Sequence, residues 1–220
     1  MDEVDKQSRR VDSPAFTPES TVGPFFPGIF VHQMPQNLAR IAPSLAHRPQ
    51  GQPISLSGRV LDEAGLPVEH AILEFWQANA AGRYRHPLDQ SERPLDPHFE
   101  GFARVCTDAT GEFRFLTIKP GAHRISPQRT QRNAKEIQRA PHLRLTLFAS
   151  GVDRLYTHTF FSDEALNEAD PLLTSVDAAV RARLIAQKLT DMESDIVSYR
   201  LDIHLRGERE TPFFDHWRSR

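Results

Sequence analysis

The sequence predicts a mainly β protein, an antiparallel β-sandwich with an N-terminal arm and one or two short helices. Seventeen prolines and eleven glycines are spread along the 220 residues and interrupt short apolar runs, which argues against a helical bundle. Within those runs apolar and polar residues alternate, as expected for strands with one buried face. Many short alternating segments between turn signals are typical of an antiparallel sandwich.

The alternating segments follow one another from residue 54 onward. They cover residues 54–60, 71–75, 113–115, 143–147 and 201–205. Because successive side chains of a strand point to opposite faces, each segment predicts one strand. Residues 163–189 are instead rich in Ala, Leu, Glu and Arg, which predicts a helix near residues 176–188. We expect residues 1–52 to form an arm that contacts a partner, and residues 53–220 to form the sandwich domain.

The composition is that of an ordinary globular protein, with 39% hydrophobic residues, 25% charged residues and a net charge of −2. No run of 18 apolar residues occurs and no apolar segment follows a basic start, so neither membrane spanning nor export is expected and the cytoplasm is the default location. Cys106 is the only cysteine, which excludes an internal disulfide and a thiolate cluster. We expect it to be a buried strand residue.

One stretch of the chain, residues 119–144, is strongly basic. It contains a single acid, Glu136, against Lys119, Arg124, Arg129, Arg132, Lys135, Arg139 and Arg144. Nucleic-acid binding is not expected, because this stretch has no aromatic residue for base stacking and the whole chain is slightly acidic. A solvated loop, or a loop facing an acidic partner or an anionic substrate, is the interpretation we favour.

A series of longer motifs runs through the chain in a fixed order. They are the Thr-Val-Gly-Pro-Phe segment at 21–25, Leu-Glu-Phe-Trp-Gln-Ala-Asn at 73–79, Gly-Arg-Tyr-Arg-His at 82–86, Leu-Asp-Pro-His-Phe at 95–99, Thr-Asp-Ala-Thr-Gly at 107–111, Thr-Ile-Lys-Pro-Gly at 117–121, and Ala-Pro-His-Leu-Arg at 140–144. Together they resemble the intradiol ring-cleaving dioxygenases over most of the chain from residue 21 onward. In that family the iron-bearing chain holds ferric iron with two tyrosines and two histidines.

Four positions of this chain match those ligands, and we name them the relic positions. Tyr84 stands at the first tyrosine, His123 at the second tyrosine, His142 at the first histidine and Arg144 at the second histidine. A guanidinium has no lone pair to donate, and its charge repels a metal cation in a partly buried pocket. The resemblance therefore implies a chain without a metal ligand set of its own.

The C-terminal half resembles the alpha-type chain of the two-subunit members, in residues 140–142, 147–149, 159–165 and 207–215. The resemblance implies that this chain has no catalytic residue, and that Fe(III) is held by a beta-type partner subunit. The pair would cleave 3,4-dihydroxybenzoate with O₂ to 3-carboxy-cis,cis-muconate. The active site would lie at the shared interface.

The arm segment of alpha-type chains lines the substrate cavity, and the resemblance gives that role to Thr21, Gly23, Pro24 and Phe25. Glycine allows the backbone to approach a flat aromatic acid, proline restricts the turn, and the aromatic ring offers a rigid apolar face. Phe25 replaces the commoner tyrosine, so a phenol hydrogen bond is absent there.

Two further expectations concern individual side chains. Ser150 stands where alpha-type chains often carry an arginine near the substrate entrance, so attraction of the substrate carboxylate there would depend on Arg154 or Arg144. We expect Arg144 to stack on the Tyr84 ring or to pair with a carboxylate. His158 and His204 are expected on polar faces.

Two alternatives remain open from the sequence. Tyr84, His123 and His142 could converge on a zinc or iron ion, which would make the chain a self-sufficient metalloenzyme of the same fold. The chain could also be a β-sandwich binding module without catalysis.

Overall fold

The structure is a computed structural model that describes residues 48–125, 136–152, 154–190 and 196–214. Its strands are β1 Pro53–Leu61, β2 Ile72–Gln77, β3 Phe102–Cys106, β4 Glu112–Ile118, β5 His123–Ile125, β6 Ile137–Arg139, β7 His142–Phe148, β8 Leu155–Phe161, β9 Ile185–Lys188, β10 Val197–Arg200 and β11 Ile203–His204. Two short α-helices, Pro171–Ser175 and Ala178–Arg181, and two 3₁₀ turns, Ala165–Ala169 and Ala182–Leu184, lie between β8 and β9. No helix of the described residues is long and apolar enough to span a membrane.

Nine of these strands form one mixed sheet, in which β3, β2, β7, β8, β9, β10 and β1 follow one another and β4 pairs with β1. The strand β11 continues along the end of β1 beyond β10. The sheet folds over itself, since the Phe75 ring of β2 lies 4.4 Å from the Phe115 ring of β4 and 5.9 Å from that of Phe113. The small β5–β6 hairpin stands apart from this sheet.

The prediction of a mainly β sandwich is confirmed, and the core lies between its two halves. The apolar positions predicted to face inward are buried in β1, β2, β4, β7 and the β11 region, for example Leu56, Leu73, Phe115, Leu145 and Ile203. The pairing is not antiparallel throughout, however. The strand pairs β1–β10, β1–β11 and β8–β9 are parallel.

The helix predicted near residues 176–188 is confirmed only in part. Ala178–Arg181 form an α-helix that the 3₁₀ turn Ala182–Leu184 continues, whereas Ile185–Lys188 is the strand β9. This strand pairs with β8 on one side and β10 on the other, and Ala186 is buried there. Backbone pairing and burial in the sheet thus override the helical preference of these side chains.

Two predictions about single segments have different outcomes. Cys106 lies at the end of β3, as expected for a strand residue, but it is half-buried, and this burial raises the pKa of its thiol. The strand β1 begins at Pro53, where the predicted sandwich domain begins. Residues 1–47 lie outside the described residues, so the division into arm and domain stays a prediction.

Candidate functional site

Three of the four relic positions lie side by side in a buried cluster of rings. The Tyr84 ring centre lies 5.2 Å from that of His123, at an interplanar angle of 90°. The His123 ring centre lies 5.2 Å from that of His142. Tyr84 comes from the loop after β2, His123 from the start of β5 and His142 from the start of β7. The fold thus gathers at one place three side chains that are up to 58 positions apart in the sequence.

The loop that carries Tyr84 is held against the loop before β5 by Asn79. The Asn79 side-chain oxygen accepts from the Arg83 backbone N–H at 2.9 Å, and its backbone oxygen accepts from the N–H groups of Gly82 and Gly121. Gly82 has a φ of +79°, and a side chain at either glycine would overlap the backbone of the facing loop. Close approach of these two loops is what brings Tyr84 beside His123.

The two imidazoles of the cluster are neutral at pH 7. Burial, followed by the positive charge of Arg139, lowers the pKa of His142 to about 3. Burial, followed by the charges of Arg139 and Arg144, lowers the pKa of His123 to about 4. Nδ1 of His142 lies 2.7 Å from the Ala140 carbonyl oxygen, which can only accept, so Nδ1 carries the proton and the Nε2 lone pair is left inside.

The phenol of Tyr84 is also in its uncharged form. Burial raises its pKa, although Arg144 and Arg139 act in the opposite direction. Within the described residues, neither the Tyr84 hydroxyl nor Nε2 of His142 has a hydrogen-bond partner. Two polar atoms that are buried without partners mark a place where an unseen group could bind.

A buried ion pair supports the histidine side of the cluster. Nε of Arg139 donates to Oδ2 of Asp170 at 2.8 Å, and the two side chains are only 7% and 0% exposed. The same Asp170 oxygen accepts from the Ala140 backbone N–H at 2.9 Å. Burial would raise the pKa of Asp170, but the Arg139 and Ala140 hydrogen bonds outweigh it and hold the pKa below its usual value. The expectation of a solvated basic loop is therefore wrong for Arg139.

The Arg144 side chain packs against an aromatic ring. Its guanidinium carbon lies 5.4 Å from the centre of the Trp76 ring, and Trp76 in turn contacts Tyr84 at 4.8 Å between ring centres. The expected stacking on Tyr84 itself is therefore wrong, and the partner ring is Trp76. Arginine favours contacts with aromatic rings because its guanidinium is planar and weakly hydrated.

Several members of the cluster were not predicted from the sequence, among them Trp76, Asp170 and Phe214. The prediction of His158 on a polar face is wrong, since His158 is 8% exposed. The His158 ring lies 5.0 Å from that of His142 and stacks on Phe214 at 5.8 Å. Residues 157–161 of β8 are all buried, so both faces of this strand are covered and alternation carries no signal.

Other predicted positions lie apart from the cluster or outside the described residues. Thr21, Gly23, Pro24 and Phe25 belong to the residues that the structure does not describe. Ser150 is exposed in the turn after β7, and the Arg154 guanidinium lies 5.0 Å from the centre of the Tyr156 ring. His204 is half-buried beside a separate groove.

The donor atoms at the relic positions do not fit ferric iron. Fe(III) is a hard cation that favours oxygen anions, whereas the cluster offers one protonated phenol, two imidazoles and the charges of Arg139 and Arg144. Within the described ranges, no group of three or more His, Cys, Asp or Glu side chains is placed to hold a metal ion. A softer divalent ion could still use the two imidazoles and the phenol.

The family model and the similar proteins all indicate a dioxygenase family. A family model described as Dioxygenase matches residues 24–207. The protocatechuate 3,4-dioxygenase beta chain of Burkholderia cepacia is 44% identical over 167 residues, covering 74% of this chain and 68% of that one. The alpha chain from the same organism is 36% identical over 206 residues, covering 90% of this chain and 96% of its relative.

Solved structures show the same fold at lower identity. Catechol 1,2-dioxygenase from Pseudomonas arvilla C-1 has a TM-score of 0.58 and 22% identity, covering 86% of this chain and 61% of that one. The dioxygenase domain of a carbohydrate-binding fusion protein from Streptomyces sp. SirexAA-E has a TM-score of 0.55 and 24% identity, covering 87% and 98%.

Proposed function

The chain belongs to the intradiol dioxygenase family, and we propose that it is the non-iron-binding alpha subunit of a protocatechuate 3,4-dioxygenase. The observation that carries the proposal is Arg144, which packs on Trp76 at the position of the second histidine ligand and cannot donate a lone pair. Of the two relatives from Burkholderia cepacia, the alpha chain matches 90% of this chain and the beta chain matches 74%. The higher identity to a beta chain over a shorter span agrees with a common ancestor of the two subunits.

In this proposal the ring chemistry is supplied by Fe(III) held by a beta subunit. The assembly uses O₂ to cleave 3,4-dihydroxybenzoate between its hydroxyl-bearing carbons, which gives 3-carboxy-cis,cis-muconate. This reaction belongs to aromatic catabolism through the beta-ketoadipate pathway, and we place it in the cytoplasm.

This chain contributes a wall of the shared cavity rather than a ligand. We assign Thr21, Gly23, Pro24 and Phe25 to that wall, because the glycine and proline suit a close turn and the phenylalanine suits an aromatic substrate. The relic positions act as interior packing, with neutral imidazoles and a protonated phenol.

The deciding experiment compares the chain purified alone with the chain co-expressed with an intact Tyr/Tyr/His-x-His partner. We expect the lone chain to be colourless, free of iron and prone to self-association, because it would expose an apolar interface. The co-expressed assembly should be coloured and should consume O₂ with 3,4-dihydroxybenzoate. Stoichiometric iron with a tyrosinate absorption band in the lone chain would overturn the proposal, and a well-behaved lone monomer would argue against obligate pairing.

The role of the arm has its own test in the co-expressed assembly. Phe25→Ala should raise KM for 3,4-dihydroxybenzoate by roughly 10-fold with unchanged iron content, because it removes an apolar face from the substrate. Phe16→Ala is the matched control, since it removes a phenylalanine of the same arm outside the motif. Equal effects of the two variants would contradict the assignment.

A second candidate function is a self-sufficient metalloenzyme of the same fold. It is favoured by the Tyr84 hydroxyl and Nε2 of His142, which are buried without hydrogen-bond partners among the described residues, next to His123. Zinc or iron bound by the lone chain, and lost in both Tyr84→Phe and His142→Ala, would support it. A binding module without catalysis would instead be indicated if no partner gave ring cleavage.

A further inference from the structure

A groove with a volume of about 400 Å³ lies on the β10 side of β9. In the order of the sheet, β8 and β9 separate it from the strands β7 and β2. It begins where the pairing of β9 with β10 ends, at Arg200 and Gln187. Beyond this pair, one wall consists of the 3₁₀ turn Ala182–Leu184 and the start of β9, and the other consists of residues 200–204. Its volume is in the range of small-molecule sites.

The far end of the groove is closed by the loop after β11. The Thr211 backbone N–H donates to the His204 carbonyl at 3.0 Å, and the Thr211 hydroxyl accepts from the His204 backbone N–H at 3.0 Å. Arg183 reaches across and donates to the Glu210 carbonyl at 3.0 Å. These hydrogen bonds connect both walls to the loop after β11, so hydrogen bonds of the fold fix the shape of the groove.

Positive charge dominates the lining. Arg183, Arg200 and Arg209 line the groove together with His204, and the single acid of the lining is Asp202. Asp202 is already engaged, since it pairs with Arg200 at 3.2 Å and accepts from the Arg59 backbone N–H at 3.0 Å. Neither Arg183 nor Arg209 forms an ion pair with any described residue.

The same two cations act on His204. Burial, followed by Arg209, lowers the pKa of His204; Asp202 raises it and Arg183 lowers it further. The charges of Arg209 and Arg183 therefore act on a residue of the groove lining. An anion bound there would be attracted by both charges, which pair with no carboxylate of the described residues.

The remaining lining is mostly apolar. Ala182, Ile185, Leu189 and Leu201 contribute apolar side chains, and Gln187 and Thr211 are polar. Guanidinium groups match carboxylates with paired, planar hydrogen bonds, and two such groups suit two carboxylates. The aliphatic side chains of the lining suit a hydrocarbon body that joins the carboxylates.

We propose that this groove is a binding site for a small dicarboxylate with an apolar body, held by Arg183 and Arg209. A groove of this charge would bind such a ligand whether or not the chain pairs with an iron-bearing partner.

The test is calorimetric titration at constant ionic strength, on the protein in the assembly in which it purifies. The probes are trans,trans-muconate and sorbate, which share a six-carbon diene and carry two carboxylates and one, respectively. We expect trans,trans-muconate to bind with a Kd below about 1 mM and sorbate to bind at least roughly 10-fold more weakly. Arg183→Gln and Arg209→Gln should each weaken muconate binding by roughly 10-fold.

The matched control is Arg206→Gln, which removes an exposed arginine of the same loop that does not line the groove. We expect this variant to bind trans,trans-muconate like the unmodified protein. Absence of muconate binding, equal binding of sorbate, equal weakening by Arg206→Gln, or full displacement by equimolar inorganic phosphate would each overturn the proposal.

Discussion

The guanidinium of Arg144 lies 5.4 Å from the centre of the Trp76 ring, and the two residues are direct partners across the strands β7 and β2. The register of this strand pair therefore determines which ring receives the guanidinium. A partly desolvated cation–π contact contributes about 0.5–2 kcal/mol. Arg144 thus has a packing contact at the position that we propose to match the second histidine ligand of the iron-bearing chains.

Replacing this arginine should change what the relic positions can bind. Arg144→His removes the cation and returns an imidazole two positions from His142 on β7. We expect the variant to take up Zn²⁺ or Co²⁺, measured by elemental analysis after dialysis, because three imidazoles and a phenol would then surround one place. Arg144→Gln is the control, since it removes the charge without adding a comparable ligand, and it should stay metal-poor. A metal-free Arg144→His variant would show that the geometry for binding is lost.

The two buried histidines should make stability depend on pH. The folded-state pKa values, about 4 for His123 and about 3 for His142, lie below the usual 6.5. Below about pH 6.5 the unfolded chain therefore binds more protons than the folded chain. The free energy of unfolding falls as the pH is lowered from there to about 3. At pH 5 each of these histidines should lower the free energy of unfolding by roughly 2 kcal/mol relative to pH 7.

Denaturant titrations at pH 7, 6 and 5 measure this dependence. In His142→Phe the fall in unfolding free energy between pH 7 and pH 5 should be smaller by roughly 2 kcal/mol, whatever its stability at pH 7. An unchanged slope in His142→Phe would mean that His142 is protonated readily in the folded protein.

Breaking the ion pair between Arg139 and Asp170 should be strongly destabilising. Asp170→Ala leaves the Arg139 charge buried, frees the Ala140 N–H and removes the cap of the helix Pro171–Ser175. We expect a loss of about 3–5 kcal/mol in the free energy of unfolding. Glu112→Ala, which breaks the exposed pair with Arg59, should cost about 1 kcal/mol or less. Similar losses for the two variants would contradict the buried-pair interpretation.

The close approach of β1 to the segment after β10 should tolerate no side chain at Gly58. A Cβ there would overlap the backbone carbonyl of Leu201. Because backbone atoms in a sheet cannot move aside cheaply, Gly58→Ala should reduce soluble expression or lower Tm by more than about 10 °C.

Gly65→Ala provides the comparison, since Gly65 has a φ of +78° but open space around it. Only the cost of a left-handed backbone conformation, about 1 kcal/mol, is expected for this variant. A well-folded Gly58→Ala protein with unchanged Tm would show that the two segments lie farther apart.

The sequence alone was sufficient for several of the strands and for the family. Alternation of apolar residues identified β1, β2, β4 and β7, because a strand with one covered face imposes a period of two on its side chains. The motifs from residue 21 onward identified the intradiol dioxygenases, and the absence of a lone pair on Arg144 followed from its chemistry alone.

Only the tertiary structure decided which side chains meet. The segment Ile185–Lys188 looked helical but is a strand, because β8 and β10 offer it backbone partners on both sides. The burial of His158 and Arg139, the partner of Arg144 and the groove at Arg183 and Arg209 also depend on contacts between distant segments. Local sequence carries the preferences of a segment, whereas burial and charge environment come from neighbours that only the folded chain supplies.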